Sequence, residues 1–185
     1  MFSACSSSPT ETNKQCIIRD TERVTELGEI AFSLLQYKND NGRFPLLSAG
    51  TYLEGTTTSK WNSWISALGN EIGITPSVDP LNAFDPASRC PVPPYDSAGT
   101  CWNDNHKVYT CPENSHIYQY STFNSGNNAF LYANLEYNGT GNWRTDPPMG
   151  SDPCAAIPGS TSCECFNYQI EGNDSFIPSS APASS

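Results

Sequence analysis

Ile17, Val24, Leu27, Ala31, Leu34 and Leu35 fall on one side of a helix of 3.6 residues per turn, and Glu22, Glu26, Glu29, Ser33 and Gln36 fall on the other. This pattern predicts one amphipathic helix over residues 17–38, the longest regular element in the chain. It must stop where Asn39-Asp40-Asn41-Gly42 offers turn-forming side chains and a glycine for a left-handed cap. Pro45 then prevents an early restart. A helix with one apolar side needs a second layer to cover it, and the remaining sequence shows what that layer is.

The later segments alternate rather than repeat at helical spacing. In residues 116–122, Tyr118 and Tyr120 share a face, and in residues 130–137 Leu131, Ala133 and Leu135 oppose Phe130, Tyr132, Asn134 and Glu136. The run Asn124-Ser125-Gly126-Asn127-Asn128 between them predicts a turn, hence an antiparallel hairpin. Residues 164–170 predict a third strand with Phe166, Tyr168 and Ile170 on one side. Before the sheet, Trp61, Trp64, Ile65 and Leu68 stand at helical spacing, which predicts a short helix over 59–68 with these side chains docked in the core. A connector broken by Pro76 and Pro80 follows. The expected class is α+β, a long N-terminal helix packed on a small antiparallel sheet, with Leu34 meeting Leu131.

Such a core is small for the length. Of 185 residues only 37% are hydrophobic, although a domain of this size normally buries about 70% of its unfolded surface. The eight cysteines address the deficit. Cys5, Cys16, Cys90, Cys101, Cys111, Cys154, Cys163 and Cys165 form an even set concentrated in the polar second half. No C-x-x-C pair of a zinc site and no C-x-x-C-H of haem attachment is present, so they read as a disulfide framework in an oxidising, extracellular setting. Pairings of Cys101 with Cys111, closing a hairpin around Trp102, and of Cys154 with Cys163 are expected. Three units follow: a truncated or disordered lead over 1–16, a globular domain over 17–176, and a Ser/Pro/Ala tail over 177–185.

A net charge of −10 argues against nucleic-acid binding through the overall field. Neither His106 nor His116 sits in a zinc-protease motif, and no Gly-x-Ser-x-Gly appears, so no catalytic residue and no enzyme is expected. The first 16 residues contain no apolar export segment. Cys5, followed by serines, admits an alternative reading as a lipid-anchored or secreted binding module.

Arg19-Asp20-Thr21-Glu22-Arg23, then Leu34-Leu35, then Tyr37-Lys38-Asn39-Asp40-Asn41-Gly42-Arg43-Phe44-Pro45 resembles type IV pilins and the major pseudopilins of type II secretion. Val78-Asp79-Pro80-Leu81-Asn82, Tyr118-x-Tyr120 and Leu131-Tyr132-Ala133-Asn134-Leu135-Glu136 continue the likeness over residues 19–137. The resemblance implies a pilin-like fold with disulfide-stapled loops. It also implies a structural subunit of an extracellular filament, with copies of itself or other pilins as partners and a surface head used in adhesion through aromatics such as Trp102 or Trp143. The family's hydrophobic half-helix is missing before Arg19, so a membrane is expected only through that missing helix or a lipid anchor. Major pseudopilins bind calcium in the loop after the second strand. The corresponding positions here, Asn142, Asp146 and the nearby Asp152, offer few carboxylates; no other cofactor is implied.

Overall fold

A computed structural model describes residues 11–48, 50–84, 90, 99–112, 115–136, 166, 168–172 and 176–178. Helix α1, Glu11–Asn41, begins inside the segment read as a lead. It ends where the sequence places its stop, with Gly42 at φ 74° donating its N–H to the Lys38 carbonyl.

Five antiparallel strands make the main sheet: β1 (Thr56–Thr58), β4 (Gln119–Phe123), β5 (Asn128–Ala133), β6 (Tyr168–Gly172) and β7 (Phe176–Pro178), in the order β1-β4-β5-β6-β7. The β4–β5 hairpin pairs Tyr120 with Leu131, and β5–β6 pairs Leu131 with Ile170. Strands β1 and β7 lack the alternating apolar signal, being Thr-Thr-Thr and a short segment that crosses from the expected domain into the expected tail at residue 177. Strands β2 (Trp102–Asn103) and β3 (Val108–Tyr109) form a separate hairpin, as the cysteine-rich segment suggests.

The helix lies across the main sheet. Leu27, Ile30 and Leu34 from α1 share one buried cluster with Tyr118, Tyr120, Leu131 and Ile170, the apolar face of the sheet. Burying a leucine or isoleucine fully is worth about 1.5–3 kcal/mol, so these contacts dominate the union of the two layers. The chain from Gly42 onward is fixed to the hairpin turn. Phe44 donates its N–H to Gly126 O at 2.8 Å, and the Tyr120 hydroxyl donates to Pro45 O at 2.7 Å.

Three local expectations are corrected. Ile17 is exposed, because Arg19, Asp20 and Arg23 turn a polar face inward at the start of the helix, and the apolar contact with the sheet begins further along, where Leu27 and Ile30 are buried. The short helix arrives later than 59–68, as a π-helix at Trp64–Gly69 followed by α2 at Asn70–Ile72. Trp61, Trp64 and Leu68 are buried as expected, but the wider π turn leaves Ile65 on the surface. Finally, Cys101 bonds Cys90, not Cys111. The hairpin expected around Trp102 is closed by its backbone pairing instead, and the disulfide ties Cys101, next to its first strand, to Cys90.

Cys16 and Cys111 are also disulfide-bonded, so every described cysteine is oxidised. Cys5, Cys154, Cys163 and Cys165 lie outside the described residues. The chain is thus α+β, with one long N-terminal helix on a small antiparallel sheet and a Cys90–Cys101 disulfide.

Candidate interaction surface

Opposite its sheet-facing side, α1 exposes Ile18, Thr21, Thr25, Gly28 and Phe32. These positions are alternately three and four residues apart, so they form one stripe along the helix. The stripe carries no charge, and Ile18 and Phe32 are 56% and 63% exposed. The Thr21 and Thr25 hydroxyls donate to the carbonyls of Ile17 (2.8 Å) and Thr21 (2.9 Å). Their donors are consumed on the helix itself, so covering the stripe strands neither hydroxyl. A side-chain carbon added at Gly28 would meet nothing within 4 Å, so the fold of this chain imposes no steric need for glycine there. Glu22 and Glu29 stand exposed along one edge of the stripe.

What holds the stripe outward is an ionic cluster on the far side of the same helical turns. Arg23 is fully buried. Its Nε and Nη2 donate to Asp79 Oδ2 (2.7 Å) and Oδ1 (3.1 Å), and its Nη1 donates to Asp20 Oδ1 (2.8 Å) and Glu136 Oε1 (2.6 Å). Arg19 donates to both oxygens of Glu136, with Nε to Oε1 at 2.6 Å. Asp20 also accepts from the Glu136 backbone N–H at 2.9 Å, and Asp79 from the Leu81 N–H at 2.9 Å. The cluster joins α1, the proline-broken connector and the chain just beyond β5.

Burial opposes the charge on Arg23, but the bonds and charges of Asp79 and Glu136 outweigh it and raise its pKa. Burial likewise opposes ionisation of Glu136, and the hydrogen bonds from Arg19 and Arg23 overcome it, holding the carboxyl below its usual range. His116 lies beside the cluster. Its burial and then the Arg23 charge lower its pKa, against opposing effects of Glu136 and Asp79. Next along α1, Glu26 accepts the Tyr118 hydroxyl at 2.5 Å while its own burial raises its pKa.

The motif residues that carry the family resemblance therefore meet in space: Arg19, Asp20 and Arg23 with Asp79 and Glu136. The other candidates do not gather at one place. His106 is exposed at the β2–β3 tip, whereas His116 is half-buried beside the ions. Trp102 is only 3% exposed, packed on Tyr52 and Trp61, which removes it as a surface adhesion residue. Trp143 and the calcium candidates Asn142, Asp146 and Asp152 lie outside the described residues. Among the described residues, no group of three His, Cys, Asp or Glu side chains is placed to hold a metal. No described helix is long and apolar enough to cross a membrane.

The exposed stripe itself escaped the sequence reading, which followed the buried side of α1. Phe32, a large apolar residue among polar neighbours on the outer face, was the available signal.

No protein-family model, curated protein or solved structure matches this chain.

Proposed function

We propose that the chain is the soluble part of a structural subunit of an extracellular, pilin-like filament, packing through the outer face of α1 against copies of itself or related subunits. The observation that carries this reading is the uncharged, exposed stripe Ile18-Thr21-Thr25-Gly28-Phe32 on a 31-residue helix whose other side is committed to the sheet. Apolar side chains at this spacing suit a helix–helix seam, and a glycine within the stripe permits close approach of two helices. The motif resemblance supports the same reading, and its residues Arg19, Arg23, Asp79 and Glu136 bond one another across α1, the connector and the chain beyond β5. In a filament the sheet and the disulfide-linked β2–β3 hairpin would face outward and supply any adhesive surface.

The test is to place Thr25→Arg and Phe32→Glu separately in the chain as its own cells produce it, then image the surface by electron microscopy. Both positions are exposed, so the purified proteins should unfold at the parental midpoint. Filaments labelled by an antibody to the parent protein, and lost in both variants, support the proposal. Absence of labelled filaments in the parent cells, or undiminished filaments in both variants, contradicts it.

A further inference from the structure

Away from the ionic cluster, an open cleft of about 450 Å³ is lined by Leu47, Ser48, Ser66, Ala67, Asn70 and Glu71. Its volume falls in the range of small-ligand sites. Two unusual backbone segments build it. Leu47 is held at φ 48°, a left-handed conformation that is costly for a leucine, and Ala67 belongs to the π-helix. Both are buried members of the main core, which fixes the cleft's apolar floor.

Four polar side chains form the rim: Ser48, Ser66, Asn70 and Glu71. Ser66 spends its hydroxyl proton on Asn62 O at 3.0 Å, which leaves its oxygen able only to accept. The Asn70 amide nitrogen is turned to Ser66 O at 2.7 Å, leaving Oδ1 as the acceptor of that side chain. Tyr37 donates its hydroxyl to Glu71 Oε2 at 2.7 Å, which anchors the carboxylate and leaves Oε1 for another donor. Among the described residues, no lysine or arginine lines the cleft. An anion would face Glu71 and a chain of net charge −10, so the charge of the cleft favours a cation.

We propose that this cleft binds a protonated primary amine on a short aliphatic stem. The stem lies on Leu47 and Ala67, and the ammonium pairs with the Glu71 carboxylate, with the Ser66 and Asn70 side-chain oxygens of the same rim as further acceptors. This site does not depend on the filament reading.

The experiment titrates the folded, isotope-labelled protein at low ionic strength and follows the amide resonances of Ser66, Asn70 and Glu71. The probes are 1,5-diaminopentane, Nα-acetyl-lysine methylamide and the uncharged 1,5-pentanediol. Glu71→Gln keeps an acceptor for Tyr37 and removes the charge, and Ala67→Leu fills the floor. Saturable shifts at these amides with an amine, no saturation with the diol, and affinity weakened about tenfold or more in both variants are expected. Binding by the free diamine alone would assign the site to a small amine. Binding by the lysine derivative alone would assign it to a partner's side chain, and either supports the proposal. Equal affinity for the diol, unchanged affinity in both variants, or no saturable shift with either amine would overturn it.

Discussion

Arg23 on α1 and Asp79 in the connector form a two-point ion pair, at 2.7 and 3.1 Å, with neither side chain exposed to solvent. The pair spans 56 residues of sequence and fixes how α1 is rotated on the body of the protein. Because its groups are buried, removing one partner costs far more than the pair is worth in net terms. Arg23→Ala is expected to lose about 3–5 kcal/mol of stability by leaving Asp79 and Glu136 without their guanidinium. Combining Arg23→Met with Asp79→Leu should cost at least about 1.5 kcal/mol less than the sum of the two single changes. Urea unfolding of all four proteins measures this, and additive losses would mean that the two groups are not coupled.

The same cluster sets a pH response with two parts. His116 has a lowered pKa, so the unfolded chain takes up a proton before the folded one, and stability falls as pH drops from about 6.5 to the folded value. Glu136 has a lowered pKa too; its contribution is intact above about 4.3 and is lost as pH falls through the folded value. Glu26, with a raised pKa, acts in the opposite direction, its burial cost easing as it protonates. The His116 part is isolated by comparing parent and His116→Gln thermal midpoints at pH 7.5 and pH 5. The parent should lose more than the variant over that interval, and equal losses would remove His116 from the account.

Gly126 is required where the hairpin turn meets the chain after α1. It sits at φ 88°, and a side-chain carbon there would come within 2.8 Å of Phe44 O, a backbone atom that cannot swing away. Gly126→Ala is expected to cost about 2 kcal/mol or more, combining left-handed strain with displacement of the Phe44 N–H bond to Gly126 O. The denaturation midpoint reads it directly. A loss below about 0.5 kcal/mol would show that the turn yields easily.

Gly28 should behave in the opposite way. An added methyl meets no atom within 4 Å in the middle of a helix, so Gly28→Ala is expected to stabilise the fold by about 0.5–1 kcal/mol. If the outer face packs closely on another helix, the same change should weaken filament assembly. Stabilisation of the domain together with impaired assembly would separate folding from packing in a single variant.

How legible all this was follows from the range of each interaction. The helix, its stop at Gly42 and the β4–β5 hairpin are written in local patterns, periodicity and turn residues, and the structure has them. Arg19, Asp20, Arg23, Asp79 and Glu136 could each be marked as belonging to a motif, but nothing local tells Arg23 that Asp79 and Glu136 lie beside it. The Cys101 pairing failed for a related reason. Ten residues separate it from Cys111 and eleven from Cys90, so spacing could not choose between them. Strand β1 had no apolar alternation to mark it, and its three threonines pair with β4, more than sixty residues further along the chain.

The central claim is that the outer face of α1 packs against further subunits. It is tested most directly by a photo-reactive benzoyl-phenylalanine at Thr25, illuminated in the cells that make the protein. The account predicts a ladder of dimers and higher adducts containing this chain or related subunits, which Phe32→Glu suppresses. An adduct-free protein under illumination, or a ladder indifferent to Phe32→Glu, would contradict it.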